Sequence, residues 1–238
     1  MKKGIIIISF LIISTTLSAQ IRNVSIQNSK AINDTIFNKN MFFLKEFANS
    51  RITMNDGSTY SAKANISSIA QAVAMLGEKG DTLGVSMENN IVVFSGGGIT
   101  AMKVDGQYHQ VLHVNGEISL AKTRKLDLRD RRPTGAYGGS THTSSVDQVS
   151  HFDGGGVSQL IDLINNEWAS GGIIEMEYEY MEELFLISKG RRYVPTRKNF
   201  EKLFSKQKSD IVTYLKDSNV NFSKKDEVIG LFLYLAYD

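Results

Sequence analysis

The sequence predicts an α+β protein: an antiparallel β-rich body, as a curled sheet or a small barrel, then a small sheet packed with C-terminal helices. Three patterns predict it. Short β-forming runs separated by Asp-Gly, Asn-Gly or Gly-rich turns recur through residues 42–132. A strict alternation of apolar residues and glutamates, IIEMEYEYM at 173–181, precedes a second hairpin. From Phe200 onward the apolar spacing becomes helical.

The chain begins MKKGIIIISFLIISTTLSAQ, with Lys2 and Lys3 ahead of an apolar run and a small-residue stretch ending at Ala19. This is the plan of an export signal, residues 1–19. Its apolar core is shorter than the ~20 residues a spanning helix needs, so cleavage is expected and no transmembrane span after it. Removing Lys2 and Lys3 takes the formal charge from +2 to 0, which gives no global attraction to nucleic acid. The chain has no cysteine, which excludes disulfides, thiolate metal sites and cysteine nucleophiles. With 42% apolar and 22% charged residues it has the composition of a folded protein.

Residues 20–41 are polar with scattered Ile and Val, and read as a lead-in that docks late or stays loose. The β-rich body follows at 42–132, its turns at Asp56-Gly57, Gly77 to Asp81, Gly96 to Gly98, Asp105-Gly106 and Asn115-Gly116. Left-handed backbone is cheap at Gly, Asn and Asp, which is why these dipeptides mark hairpins. Residues 67–75 (SSIAQAVAM) fit either a strand or a short helix. Basic residues cluster at Lys122, Arg124, Lys125, Arg129, Arg131 and Arg132 before Pro133. Residues 133–156 are rich in Gly, Ser and Thr and read as a linker or loop.

The C-terminal module, 157–238, opens with an amphipathic helical pattern at 157–168 (VSQLIDLINNEW). The alternating strand places Ile174, Met176, Tyr178 and Tyr180 on one face and Glu175, Glu177 and Glu179 on the other. A hairpin turning at Lys189-Gly190 follows, and Thr196 is placed to cap a helix. Phe200, Leu203, Phe204, Ile211, Tyr214 and Leu215 keep helical spacing, and 217–219 ends that run. Ser223 with Asp226 forms a capping-box-like start to a last helix that is apolar nearly all round, Phe232 included. Such a helix must be buried in the domain or pressed on a partner.

The layout resembles that of uncharacterised exported proteins of Bacteroidota. The resemblance lies in the Ala-Gln signal end, the Gly80-Asp81-Thr82 turn, the Lys189-Gly190 hairpin and the run Lys198-Asn199-Phe200-Glu201-Lys202-Leu203-Phe204. It extends to 219–222 and the capped apolar helix from Lys224. Ser205 stands where that pattern carries a proline. The resemblance implies an envelope location, in the periplasm or at the outer-membrane periphery of a Gram-negative bacterium, and an architecture. It implies no reaction.

His109 and His113 are four apart in a predicted strand, about 13 Å, too far to share an ion. His142, Asp147, His151 and Asp153 are permissible catalytic or divalent-metal groups in the Gly/Ser stretch, but their spacing matches no metal motif. Glu175, Glu177 and Glu179 would repel one another, and Arg191 and Arg192 across the hairpin are their expected partners. Between Lys189 and Lys208 the basic residues Lys189, Arg191, Arg192, Arg197, Lys198, Lys202, Lys206 and Lys208 face one acid, Glu201. No cofactor or metal is expected. The reading is a non-catalytic envelope binding or interaction protein with an envelope protein or acidic surface component as partner. Arg191, Arg192, Arg197, Lys198, Lys202 and Phe232, with the sheet edge, are its candidate contact surface. A hydrolase or metal enzyme using the loop His/Asp residues is the first alternative, and a small-ligand carrier in a β-barrel the second.

Overall fold

The computed structural model describes residues 21–27, 30–78, 82–84, 88–130 and 174–237. The turn dipeptides lie where left-handed backbone is needed: Asp105-Gly106 has φ of 51° and 75°, and Lys189-Gly190 has φ of 51° and 69°. Between the turns run β1 (Ile21–Gln27), β2 (Lys30–Ala31), β3 (Ala48–Met54), β4 (Thr59–Ser67), β5 (Ala72–Leu76) and β6 (Thr82–Gly84). After these come β7 (Ile91–Gly96), β8 (Ile99–Val104), β9 (Gln107–Asn115), β10 (Ile118–Asp130), β11 (Ile174–Ser188) and β12 (Arg191–Tyr193). The helices are α1 (Thr35–Asn40), α2 (Arg197–Leu203), α3 (Lys208–Ser218) and α4 (Lys225–Tyr237).

The fold is α+β, with a large antiparallel sheet that is not closed and helices at the C-terminus. The described strands run in the order β2-β1-β11-β10-β9-β8-β7-β3-β4-β5-β6, and β12 also pairs with β11. β10 and β11 pair from Ile118 opposite Ser188 to Asp130 opposite Met176, so the β-rich body and the C-terminal module share one sheet. The sheet curls. At the corner between β4 and β5, Ser68 O accepts from Leu126 N at 3.0 Å. Gln71 donates to Arg124 O at 2.7 Å and accepts from Tyr108 N at 3.0 Å. Gln71 sits in that corner at φ 49°, so SSIAQAVAM is strand, turn and strand rather than a helix.

Directly opposed residues share a sheet face, so Leu120, Lys122, Arg124, Leu126 and Leu128 of β10 lie on the face of Leu186, Leu184, Glu182, Tyr180 and Tyr178 of β11. Three apolar clusters cover this inner face. One lies under α1 and holds Val24, Ile26, Phe37, Leu126, Leu128 and Tyr178. A second fills the curl, around Ile52, Ile66, Phe94 and Tyr108. The third seats the C-terminal helices on Leu120, Leu184 and Leu186.

Of the expected lead-in, residues 21–27 and 30–41 are docked on the sheet. Val24 and Ile26 of β1 and Phe37 of α1 are buried, because β1 pairs with β11 and α1 closes over it. Asp34 caps α1, accepting from Ile36 N at 2.8 Å and Phe37 N at 3.1 Å. The last helix finds its groove within the chain: Val228, Leu231, Phe232 and Leu235 of α4 are buried, and Phe232 meets Phe204 edge to face at 5.7 Å. Burying such a side chain stabilises by about 1.5–3 kcal/mol, so four together account for the docking of α4. Its start differs from the expected capping box. The helix begins at Lys225, and Glu227 rather than Asp226 reaches back, accepting from Asn221 N at 2.6 Å. Thr196 caps α2 as expected, accepting from Asn199 N at 3.3 Å.

Candidate functional site: a charged cluster and cleft beside strand β11

His142, Asp147, His151 and Asp153 lie outside the described residues. His109 and His113 are both on β9, in a strand as expected. His109 is fully buried and pairs through Nδ1 with the Thr123 hydroxyl, and burial pushes its pKa down to about 4. Among the described residues no group of three His, Asp or Glu side chains could hold a metal ion.

The basic residues of the hairpin and α2 are largely engaged inside the fold. Arg192 pairs with Asp105 at 3.2 Å, donates to Gln107 at 2.6 Å and lies over the Phe185 ring. Arg197 pairs with Glu201 at 2.7 Å, and Lys202 lies over the Tyr193 ring. Arg191 and Lys198 are exposed. Phe232 is fully buried and belongs to the core rather than to a contact surface. The glutamate row is not matched to Arg191 and Arg192, which sit at the far end of β11 opposite Ser188 and Ile187. In the backbone register Glu177 lies opposite position 129 of β10, and Glu179 opposite Asp127 of β10 and Ile21 of β1.

The feature that draws chemistry together is a charged cluster and a cleft beside β11. On one side β11 pairs continuously with β10. On the other, among the described residues, β1 pairs with it from Ile174 to Glu179 and β12 from Leu186 to Ser188. Between them no described strand pairs with Tyr180, Met181, Glu182, Glu183, Leu184 or Phe185 on this edge. Every second residue of such a stretch directs its N–H and C=O outward.

Beside this stretch of β11 lies a cleft of about 280 Å³. Its walls include Leu184 and Phe185 of β11, Val194 and Pro195 after β12, Phe222, and Lys225 and Val228 of α4. Glu182 is the charged residue on the inner face of β11, and three cations gather on it. Lys225 Nζ is 2.9 Å away, Lys122 Nζ 3.6 Å and Arg124 Nε 3.6 Å, while the Tyr180 hydroxyl donates at 3.1 Å. Burial raises the Glu182 pKa, but Lys225 and Lys122 outweigh that and hold the carboxyl below its ordinary value. The Lys122 pKa is lowered, first by burial and then by the neighbouring Arg124. Tyr180 is pushed up to about 12 by burial and the adjacent carboxylate.

This cluster sits at a seam. Along β10, Leu126 and Leu128 lie under α1 and Leu120 under the C-terminal helices, with Lys122 and Arg124 between. Arg124 also donates to Phe43 O at 3.0 Å and lies over the Phe43 ring, which holds it in place. Sequence reasoning noted the basic run but missed Glu182, Lys225 and the cleft beside them. One signal was there: at Glu182 the apolar face of the alternating strand acquires a charge, and Lys122 and Arg124 do the same on β10. No protein-family model matches the chain, and no curated protein or solved structure matches it. No helix among the described residues is long and apolar enough to cross a membrane.

Proposed function

We propose that the protein is a non-catalytic binding protein of the cell envelope, exported by its N-terminal segment to the periplasm or outer-membrane periphery. In this reading it takes up an extended segment of another envelope protein by strand addition along the open edge of β11. The observation that carries the proposal is the cleft beside β11, with the apolar walls of Leu184, Val194, Phe222 and Val228, next to a stretch of β11 with which no strand pairs on that edge among the described residues. Strand addition draws affinity from main-chain hydrogen bonds and specificity from niches for alternate side chains. Six residues of strand span roughly 20 Å, room for a short segment between β1 and β12. The export reading supports an envelope partner, as does the resemblance in layout.

The test combines cell fractionation with hydrogen exchange. The processed protein, purified from its host envelope, is offered a display library of extended peptides, and amide protection is mapped on the selected complexes. Slowed exchange at 181–185, together with recovery from the envelope fraction, supports the proposal. Protection confined to other elements, or recovery from the cytosol, overturns it.

A further inference from the structure

β3 and β4 carry a basic pair on the face turned away from the core. Ile52 and Met54 of β3 are buried in the curl, so by alternation Asn49 and Arg51 stand on the other face, both exposed. On β4, Ser61 lies opposite Arg51 and Lys63 opposite Asn49, while Ser95 of β7 flanks Arg51 on its other side. These five residues, with Ser50 and Ala62, line a recess of about 690 Å³. Arg51 and Lys63 are diagonal neighbours, with Cβ atoms about 7–8 Å apart, so two long side chains can meet on one group. Among the described residues neither has an ion-pair or side-chain hydrogen-bond partner. The side chains of Asn49 and Ser61 are likewise unengaged, and Ser95 meets the Thr100 hydroxyl at 3.4 Å. Strands β3, β4, β5, β7 and β8 contain no Asp or Glu. Their remaining base, Lys103, is held by Glu88. Asp56, in the turn joining β3 to β4, is taken up by Ser58 at 2.6 Å.

We propose that this recess binds a phosphate monoester carried on a hydroxyl-rich body, a sugar phosphate. The site is independent of the cleft beside β11: β3 and β4 lie beyond β10, β9, β8 and β7 in the sheet, each with a described strand on either side. Two adjacent cations without a carboxylate between them repel each other, and a dianionic group placed between them removes that repulsion. A phosphate monoester carries a charge of about −1.5 to −2 at neutral pH and offers three acceptor oxygens. Arg51 presents a planar fork that bonds two of those oxygens, and Lys63 adds a point charge. The Asn49 amide and the Ser61 and Ser95 hydroxyls both donate and accept, which suits sugar hydroxyls. No aromatic ring is among the described residues that line the recess, so it has no platform for a nucleobase. The phosphate alone would fill a small part of the space, which leaves room for the sugar.

The test is a calorimetric titration of the purified protein with glucose 1-phosphate, glucose 6-phosphate, glucose and inorganic phosphate. At least one sugar phosphate is expected to bind about tenfold more tightly than glucose or inorganic phosphate. Arg51→Gln and Lys63→Gln should each weaken that binding about tenfold, the loss of one charge-assisted contact. Lys216→Gln makes the same charge change at an exposed position of α3 and should leave binding unchanged. All three side chains are exposed, so the variants keep their fold, which their unfolding midpoints check. Binding of glucose as tight as that of its phosphates overturns the proposal, because the cations would then do nothing. Equal affinity for inorganic phosphate, or equal weakening by Lys216→Gln, also overturns it, leaving an unspecific contact of anions with a basic surface. Failure of both sugar phosphates to bind overturns it outright.

Discussion

The Tyr178 hydroxyl donates to Asp34 Oδ2 at 2.6 Å, joining the N-cap of α1 to the middle of β11. Phe37, one turn into that helix, stands edge to face against the Tyr178 ring at 5.3 Å. Burial raises the Asp34 pKa, but the Tyr178 hydroxyl and the capped amides outweigh it and hold it below the ordinary carboxylate value. The Tyr178 pKa is raised by burial and by that carboxylate. One side chain thus serves a helix end and a sheet.

Asp34→Ala therefore removes a cap and strands a hydroxyl. The expected loss is about 2–3 kcal/mol, the sum of a capping effect near 1 and an unsatisfied buried donor. Tyr178→Phe alone should cost about 1 kcal/mol. Because both act on one bond, the double variant should lose less than the sum of the two. Urea unfolding of all three proteins measures this, and strict additivity would contradict the shared bond.

His109 makes stability fall on acidification. The folded protein holds the ring neutral down to about pH 4, whereas its ordinary pKa is 6.5. Unfolding takes up a proton between those values, so this contribution is complete above about pH 6.5 and declines as the pH drops toward 4. The full difference amounts to about 3 kcal/mol. His109→Leu should be less stable at pH 7, with the Thr123 hydroxyl left unpaired, yet show a flatter slope between pH 6.5 and 4. Unfolding midpoints across that range decide, and an unchanged slope would mean that other groups cause the decline.

Inside the curl, Glu88 Oε1 lies 2.8 Å from both Lys103 Nζ and the Tyr108 hydroxyl, and Oε2 accepts from Val73 N at 2.9 Å. The pair is well buried, the side chains being 10% and 13% exposed. Glu88→Gln leaves Lys103 charged without its counter-ion and should cost about 3 kcal/mol. Adding Lys103→Met removes the stranded charge and should recover more than half of that loss. Thermal unfolding of the single and double variants checks it; a double variant no better than the single one would mean that the carboxylate acts mainly on Tyr108 and Val73.

Hairpins were the legible part of the sequence. Asp105-Gly106 and Lys189-Gly190 need backbone that few other residues adopt, so the signal is local and survives any context. The role of residues 20–41 was not legible, because Val24 and Ile26 acquire a face only from Met176 and Tyr178, far along the chain. β11 read as two strands for a related reason. Glu182 breaks the apolar alternation, and only cations from β10 and α4 make its place on the inner face tolerable. At the site, counting bases between Lys189 and Lys208 located charge but not its partners. Asp105 and Gln107, which engage Arg192, lie far upstream on the turn between β8 and β9 and on β9 itself. The cleft beside β11 is built from β11, the segment after β12 and α4, which no local window contains.

Gly96 marks a close approach of two strands in the sheet. It lies opposite Ser50 across the β3–β7 pair, and a Cβ built at Gly96 would stand 2.6 Å from Ser50 Cβ and 2.9 Å from Ser50 Cα. Backbone that close cannot yield without breaking the ladder, whose neighbours Ile52 and Phe94 are core residues. Gly96→Ala should therefore destabilise by more than about 2 kcal/mol, in the upper half of the ~1–3 kcal/mol usual for overpacking. Ser50→Ala removes the contact with the hydroxyl oxygen but keeps the one with Cβ and should give only partial relief, whereas Ser50→Gly removes both and should restore much of the loss in the Gly96→Ala background. Ser50→Gly alone should be mildly destabilising through chain entropy and the lost hydroxyl bond to Ala48 O at 2.8 Å. The four proteins compared by thermal unfolding separate a direct clash from a general effect: equal rescue by Ser50→Ala and Ser50→Gly would rule out the Cβ contact as the cause.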